Sequence, residues 1–146
     1  MDKNELFNIG QKALGAQSFS SLLGTKLTVF QPGEAVLEIP VRKDLLQQNG
    51  FVHGGVLSYA ADNALTFAGG SVLGPNVLTS EYKINYLKPA VGQKLVARGN
   101  VVYASKRQAV CRCDVFDTKD GEREILCATA QGTIVTMSSE KPEAGH

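Results

Sequence analysis

The sequence predicts an α+β fold in which one curved antiparallel sheet wraps around a long buried central helix. Three observations carry this. Residues 54–70 are apolar on most of the circumference a helix would present, through Val56, Leu57, Tyr59, Ala60, Ala61, Ala64, Leu65, Phe67 and Ala68. A helix apolar nearly all round is a buried one. Four strand-like runs then follow with no helix between them, at 77–87, 94–104, 108–117 and 124–136, and strands that follow strands pair antiparallel. Finally, 146 residues suit a single domain, so helix and strands share one core.

The elements can be justified in chain order. Residues 2–14 carry a partial apolar helical face in Leu6, Ile9, Ala13 and Leu14. Residues 17–24 read as a second short helix or turn ending at Gly24. Runs 26–31 and 34–41 are rich in Val, Leu, Ile and Thr. Gln31-Pro32-Gly33-Glu34 between them is a turn signal, so a hairpin is expected. The buried helix starts at His53-Gly54-Gly55, runs roughly 25 Å at 1.5 Å per residue, and is expected to end at Gly69-Gly70. Pro89 and Gly92 mark the next turn, and Lys119-Asp120-Gly121-Glu122 marks a tight hairpin. In the third of the late strands Cys111, Cys113 and Val115 alternate with Val110, Arg112, Asp114 and Phe116, which places one side toward the helix and the other toward water. The domain is expected to span 1–137, with a flexible polar tail at 138–146.

Composition excludes several functions. Apolar residues make up 43% and charged residues 20%, as in ordinary globular chains, and the net charge is +1. Neither a nucleic-acid protein nor a membrane-surface binder is expected from that balance. No apolar run reaches the length of about 20 residues that spans a bilayer. Met1-Asp2-Lys3-Asn4-Glu5 leads into no signal-peptide core. With an odd count of three cysteines, free thiols in a reducing, cytoplasmic setting are the simpler expectation. Cys111 and Cys113 lack a second pair at metal-binding spacing, so no metal is expected. No phosphate-binding glycine loop is present.

Asp62 is the residue that composition does not explain. It lies within the most apolar helix, where a carboxylate must be partnered, hydrated or protonated. Such groups concentrate at functional sites, although a structural carboxylate capping nearby backbone is an equal alternative. His53-Gly54-Gly55 sits where that helix begins. Helix N-termini expose free N–H groups with partial positive charge, and glycines let a ligand carbonyl come close. The combination suits an oxyanion hole for acyl transfer; the bland alternative is a loop-to-helix turn that needs glycine for its geometry.

The stretch from Asn49 to Ala64, containing His53-Gly54-Gly55 and Asp62 nine residues after the histidine, resembles the active-site segment of hotdog-fold acyl-CoA thioesterases of the PaaI, phenylacetate-pathway type. The resemblance continues through Leu78-Thr79 and Asn85-Tyr86-Leu87-Lys88-Pro89, and through Asp120-Gly121 followed by 128–134, covering about 17–136. It implies the hotdog fold and hydrolysis of an acyl-CoA to free acid and coenzyme A. Asp62 would serve as nucleophile or general base, and the Gly54 N–H would polarise the thioester carbonyl. His53 would help set the loop and assist the carbonyl. Gln47, six residues before the histidine, would position carbonyl or water, with Asn49 the alternative by spacing. Thr79 would sit near the carboxylate. Asn49 and Gly55 fall on the substrate's path, and Ser105-Lys106-Arg107 matches a region contacting the nucleotide, with a plain solvated turn as the alternative. Lys88 and Arg123 are weaker candidates for the same role.

The resemblance further implies a homo-oligomer, dimer or dimer of dimers, whose active sites are shared between subunits. No cofactor beyond the coenzyme A of the substrate is implied. Tyr59, Phe67, Leu73 and Tyr82 are candidates to line an acyl pocket for a medium aliphatic or aryl chain. Two other functions fit the same fold. One is an acyl-CoA hydratase or dehydratase, the other a non-catalytic acyl-CoA-binding protein.

Overall fold

The computed structural model describes residues 1–119 and 123–137. The hairpin signal at Asp120-Gly121-Glu122 and the tail at 138–146 lie outside the described residues. Two helices open the chain, α1 (Lys3–Gly15) and α2 (Ser18–Leu23), followed by the hairpin β1 (Lys26–Gln31) and β2 (Glu34–Pro40). A single 3₁₀ turn at Lys43–Leu45 leads into α3 (Gly54–Leu73). The strands β3 (Val77–Tyr86), β4 (Lys94–Ala104), β5 (Gln108–Thr118) and β6 (Ile125–Thr136) complete the sheet. The order is β1-β2-β4-β5-β6-β3, and every pair is antiparallel.

The expected layout is the observed one. α3 lies across the sheet and buries Val56, Leu57, Ala60, Ala61, Ala64, Leu65, Phe67 and Ala68. They meet Leu37, Ile39, Leu95, Val115 and Ile134 from the strands, each at most 1% exposed. Two glycines let the helix sink into the sheet. A Cβ on Gly99 of β4 would stand 2.7 Å from the Ala64 carbonyl oxygen, and one on Gly69 of α3 would stand 2.7 Å from Ile134. Real Cβ atoms essentially never come that close, so both positions exclude a side chain.

This corrects one expectation. Gly69-Gly70 does not end the helix, which continues to Leu73. Gly69 serves close approach to the sheet instead. The stop falls at Gly74, whose φ of 101° favours glycine and whose N–H donates to the Gly70 carbonyl.

The alternation in β5 holds: Cys111, Cys113 and Val115 are fully buried, whereas Arg112 is exposed. All three cysteines are free thiols in the core. Burial pushes the Cys111 thiol up to about 11 and the Cys113 thiol up to about 12. The turn between β3 and β4 is pinned from below. Asp117 is only 4% exposed and accepts the N–H groups of Val91 and Gly92, each at 2.8 Å. No described helix is long and apolar enough to cross a membrane.

Among the described residues β3 is a sheet edge with no strand on its far side, and Leu78 and Tyr86 on it are more than half exposed. Its register on β6 slips between Thr79 and Glu81, a bulge that leaves Ser80 extra. Strict alternation would put Thr79 and Tyr82 on opposite faces. With the bulge, both face α3.

Candidate active site

α3 is not uniformly apolar. Ser58, Asp62 and Thr66 recur every four residues and so form one stripe along the helix. Every member meets β3. Ser58 Oγ contacts the Tyr82 hydroxyl. Thr79 Oγ1 donates to Asp62 Oδ1 at 2.6 Å and lies 2.8 Å from Thr66 Oγ1. Thr66 Oγ1 also donates to the Asp62 carbonyl at 2.8 Å. Asp62 is thus half-buried with one carboxylate oxygen held, and among the described residues its second oxygen has no protein partner.

A second stripe, Tyr59 and Asn63, faces α2. The Tyr59 hydroxyl meets Ser20 Oγ at 2.6 Å and Thr25 Oγ1 at 2.8 Å, and Asn63 Nδ2 donates to it at 3.2 Å. Tyr59 is therefore committed to anchoring α2. No buried side-chain polar atom among the described residues lacks a partner.

The start of α3 is built around His53. The residue is the N-cap, and its Nδ1 accepts the Gly55 N–H at 2.8 Å. In the neutral ring the proton then sits on Nε2. The next two amides, Val56 and Leu57, both donate to the His53 carbonyl. The Gly54 N–H is left as the first-turn amide with no partner among the described residues. Tyr86, at the far end of β3, donates its hydroxyl to the Gly54 carbonyl at 3.2 Å and lays its ring against Gly54.

The loop before the helix is ordered by its own bonds. Gln47 N–H donates to the Phe51 carbonyl at 2.8 Å, His53 N–H donates to the Leu45 carbonyl at 2.8 Å, and Gln47 Oε1 accepts the Asn49 N–H. Gln47 is half-buried and the Asn49 side chain is exposed.

The predicted residues therefore fall into two groups. Asp62 and Thr79 meet each other; His53, Gly54, Gly55, Gln47 and Asn49 gather at the helix start. Eight residues separate Gly54 from Asp62 on the same helix, about 12 Å of rise, so the two groups do not meet within one chain. Ser105, Lys106 and Arg107 are exposed in the β4–β5 turn. That turn sits on the Thr79 side: the Arg107 carbonyl accepts the Thr136 N–H, and Thr136 pairs with Val77. Neither Lys106 nor Arg107 has an ion pair among the described residues. Lys88 and Arg123 are exposed as well.

Sequence reasoning missed Thr66, Ser58 and Tyr86. The four-residue spacing from Asp62 was a usable signal for the first two. Nothing local marked Tyr86 as the partner of Gly54.

Residues 49–124 match the family model of the thioesterase superfamily. The chain belongs to that superfamily. It is a thioester hydrolase. A thioesterase family protein from Silicibacter pomeroyi is 32% identical, with 88% of this chain and 97% of that one covered and a TM-score of 0.82. The phenylacetic acid degradation protein PaaI from Thermus thermophilus is 33% identical, with 82% and 98% covered and a TM-score of 0.70. A curated relative from Archaeoglobus fulgidus that carries a provisional esterase name is 30% identical over 122 residues, 83% of this chain and 76% of its own. The hotdog architecture and the PaaI-type resemblance hold on these grounds. The two groups differ in chemistry: one presents a carboxylate, the other the amides of a helix start.

Proposed function

We propose that the protein hydrolyses an acyl-CoA thioester to the free acid and coenzyme A, and that each site combines the carboxylate half of one subunit with the amide half of another. The observation that carries the reading is the pairing of an open Asp62 oxygen with an unpartnered Gly54 N–H that the same helix keeps apart. Pairing the free edge of β3 with its own copy, antiparallel and across the middle of the strand, is an isologous contact. It carries Thr79, near one end of β3, toward Tyr86 of the partner subunit at the other. Because Asp62 is bonded to Thr79 and Gly54 to Tyr86, the two halves converge. The minimal unit is thus a homodimer.

In this arrangement the thioester carbonyl accepts the Gly54 N–H, which stabilises the oxyanion as it develops. Asp62 takes a proton from water, and the water oxygen bonds to the carbonyl carbon. Collapse of the intermediate breaks the C–S bond, and the departing thiolate receives the proton. Direct attack by the open Asp62 oxygen, through an anhydride that water then opens, uses the same groups. Thr79 holds the other carboxylate oxygen and so aims the open one. Gln47 and Asn49 order the loop beside the carbonyl, and Ser105, Lys106 and Arg107 offer hydroxyl and cationic groups to the nucleotide phosphates. All of these roles belong to protein groups, with no further cofactor.

The test is release of free thiol from a panel of acyl-CoA esters by the parent and by Asp62→Asn. The variant is expected to lose about a hundred- to ten-thousandfold in turnover, the usual worth of a positioned base, with its circular dichroism unchanged. Turnover near the parental rate in Asp62→Asn would remove Asp62 from the chemistry.

A further inference from the structure

A cavity of about 510 Å³ lies between α1 and α3. Its walls are Ile9, Gly10 and Ala13 of α1, Phe30 of β1, and Phe67 and Gly70 of α3. Phe30 and Phe67 meet edge to face with centroids 5.6 Å apart. Among the described residues no Asp, Glu, Lys, Arg or His side chain lines the space, and several of its polar atoms are already engaged. Ser71 Oγ donates to the Ala68 carbonyl and accepts the Gly33 N–H. Gln17 Oε1 accepts from Ser20 and Asn63. Thr66 forms part of the wall as well, and its hydroxyl is 2.8 Å from the Thr79 Oγ1 that holds Asp62. The cavity therefore reaches the carboxylate half of the site.

We propose that this cavity is the acyl-chain subsite and that the substrates are thioesters of unsubstituted, straight-chain acids of medium length. The proposal rests on the thioesterase reading above and names its substrate class. Two physical arguments select the class. A charged acyl terminus would lose hydration here and meet no side chain of opposite charge. A phenyl group would leave most of the space empty, because a cavity of about 150 Å³ already holds benzene, and unfilled volume forfeits contacts. An extended alkyl chain that enters past Thr66 and runs along Gly70 toward Ala13 and Ile9 meets apolar wall throughout.

The experiment compares butyryl-, hexanoyl-, octanoyl-, dodecanoyl- and phenylacetyl-CoA with the parent, Ala13→Phe, Gly70→Ala and Lys12→Ala. Ala13 is exposed on α1, so a larger side chain fills the cavity without entering the core. A Cβ on Gly70 finds Val77 at an ordinary 3.5 Å, so that variant folds while narrowing the entrance. Lys12 lies on α1 outside the cavity. The parental kcat/KM is expected to rise roughly fourfold per added methylene as far as octanoyl, with phenylacetyl below octanoyl. The octanoyl-to-butyryl ratio should fall at least tenfold in Ala13→Phe, fall less in Gly70→Ala and stay as in the parent in Lys12→Ala. In parallel, calorimetry on Asp62→Asn should show the same tightening of acyl-CoA binding with chain length, lost when Ala13→Phe is added. A flat chain-length profile, or a ratio unchanged in both cavity variants, overturns the proposal while leaving the hydrolase reading in place. If no thioester is hydrolysed, the hydrolase reading fails and the binding series alone decides: tightening with length supports the subsite, and flat binding overturns it.

Discussion

Asp62 combines a fixed and a free oxygen, and the fixed one depends on a single hydroxyl. Thr79→Val keeps the shape and removes the donor. A hydrogen bond to a charged group is worth about 1.5–3 kcal/mol, so turnover should drop by roughly ten- to a hundredfold with little change in melting temperature; parental turnover would remove Thr79 from the site. The thiols make an opposite case. Cys111 and Cys113 are buried, and their pKa values are pushed up to about 11 and about 12 by loss of hydration, so the reactive thiolate is scarce at neutral pH. Native protein should therefore leave both thiols unlabelled by a disulfide reagent at neutral and mildly alkaline pH, and unfolded protein should titrate all three cysteines. Fast labelling of the native chain would contradict the burial. Asp62 stood out in the sequence because a carboxylate has no business in an apolar helix without a task. The Thr79 bond and the Tyr86–Gly54 contact span 17 and 32 residues, and local pattern does not reveal such separations.

Among the elements, α3 and β3 decide the site together. The helix was legible from its apolar circumference and the strands from their β-branched runs, and antiparallel pairing followed from their order. The bulge at Ser80 was not legible, because it depends on how β3 registers against β6. Yet it is what turns both Thr79 and Tyr82 toward α3. The end of α3 was misplaced because a glycine serving close packing and a glycine serving a cap look alike in sequence; only the contact with Ile134 separates them. Gly69→Ala should accordingly destabilise the fold by about 1–3 kcal/mol through overpacking, although alanine is the better helix former. A rise in stability in a denaturant titration would contradict the close approach. At the sheet surface, the Arg98 guanidinium bonds both oxygens of Glu124 and holds its carboxyl below the usual range. A carboxylate lowered by folding adds stability above its unfolded pKa and loses it as pH falls through the folded one. Glu124→Gln should therefore cost less than about 1 kcal/mol at neutral pH, and the difference should vanish on acidification.

At the scale of the whole molecule the central claim is that one chain carries two half-sites and only an assembly carries a site. What supports the claim is the single-chain geometry, in which one helix holds Gly54 and Asp62 about 12 Å apart along its axis. The claim can be tested by complementation. Asp62→Asn disables the carboxylate half. Gly54→Pro disables the amide half by removing the N–H, and proline is well tolerated at the first position of a helix. His53 before it is already extended, with φ −58° and ψ 137°, as a residue preceding proline should be. The measurement is thioester hydrolysis by the two inactive variants after subunit exchange in equal amounts. Shared sites predict recovery to about one quarter of parental activity, because half the dimers are mixed and each has one intact site. Complete inactivity of the exchanged mixture, with mixed dimers demonstrated by native mass spectrometry, would contradict the shared site.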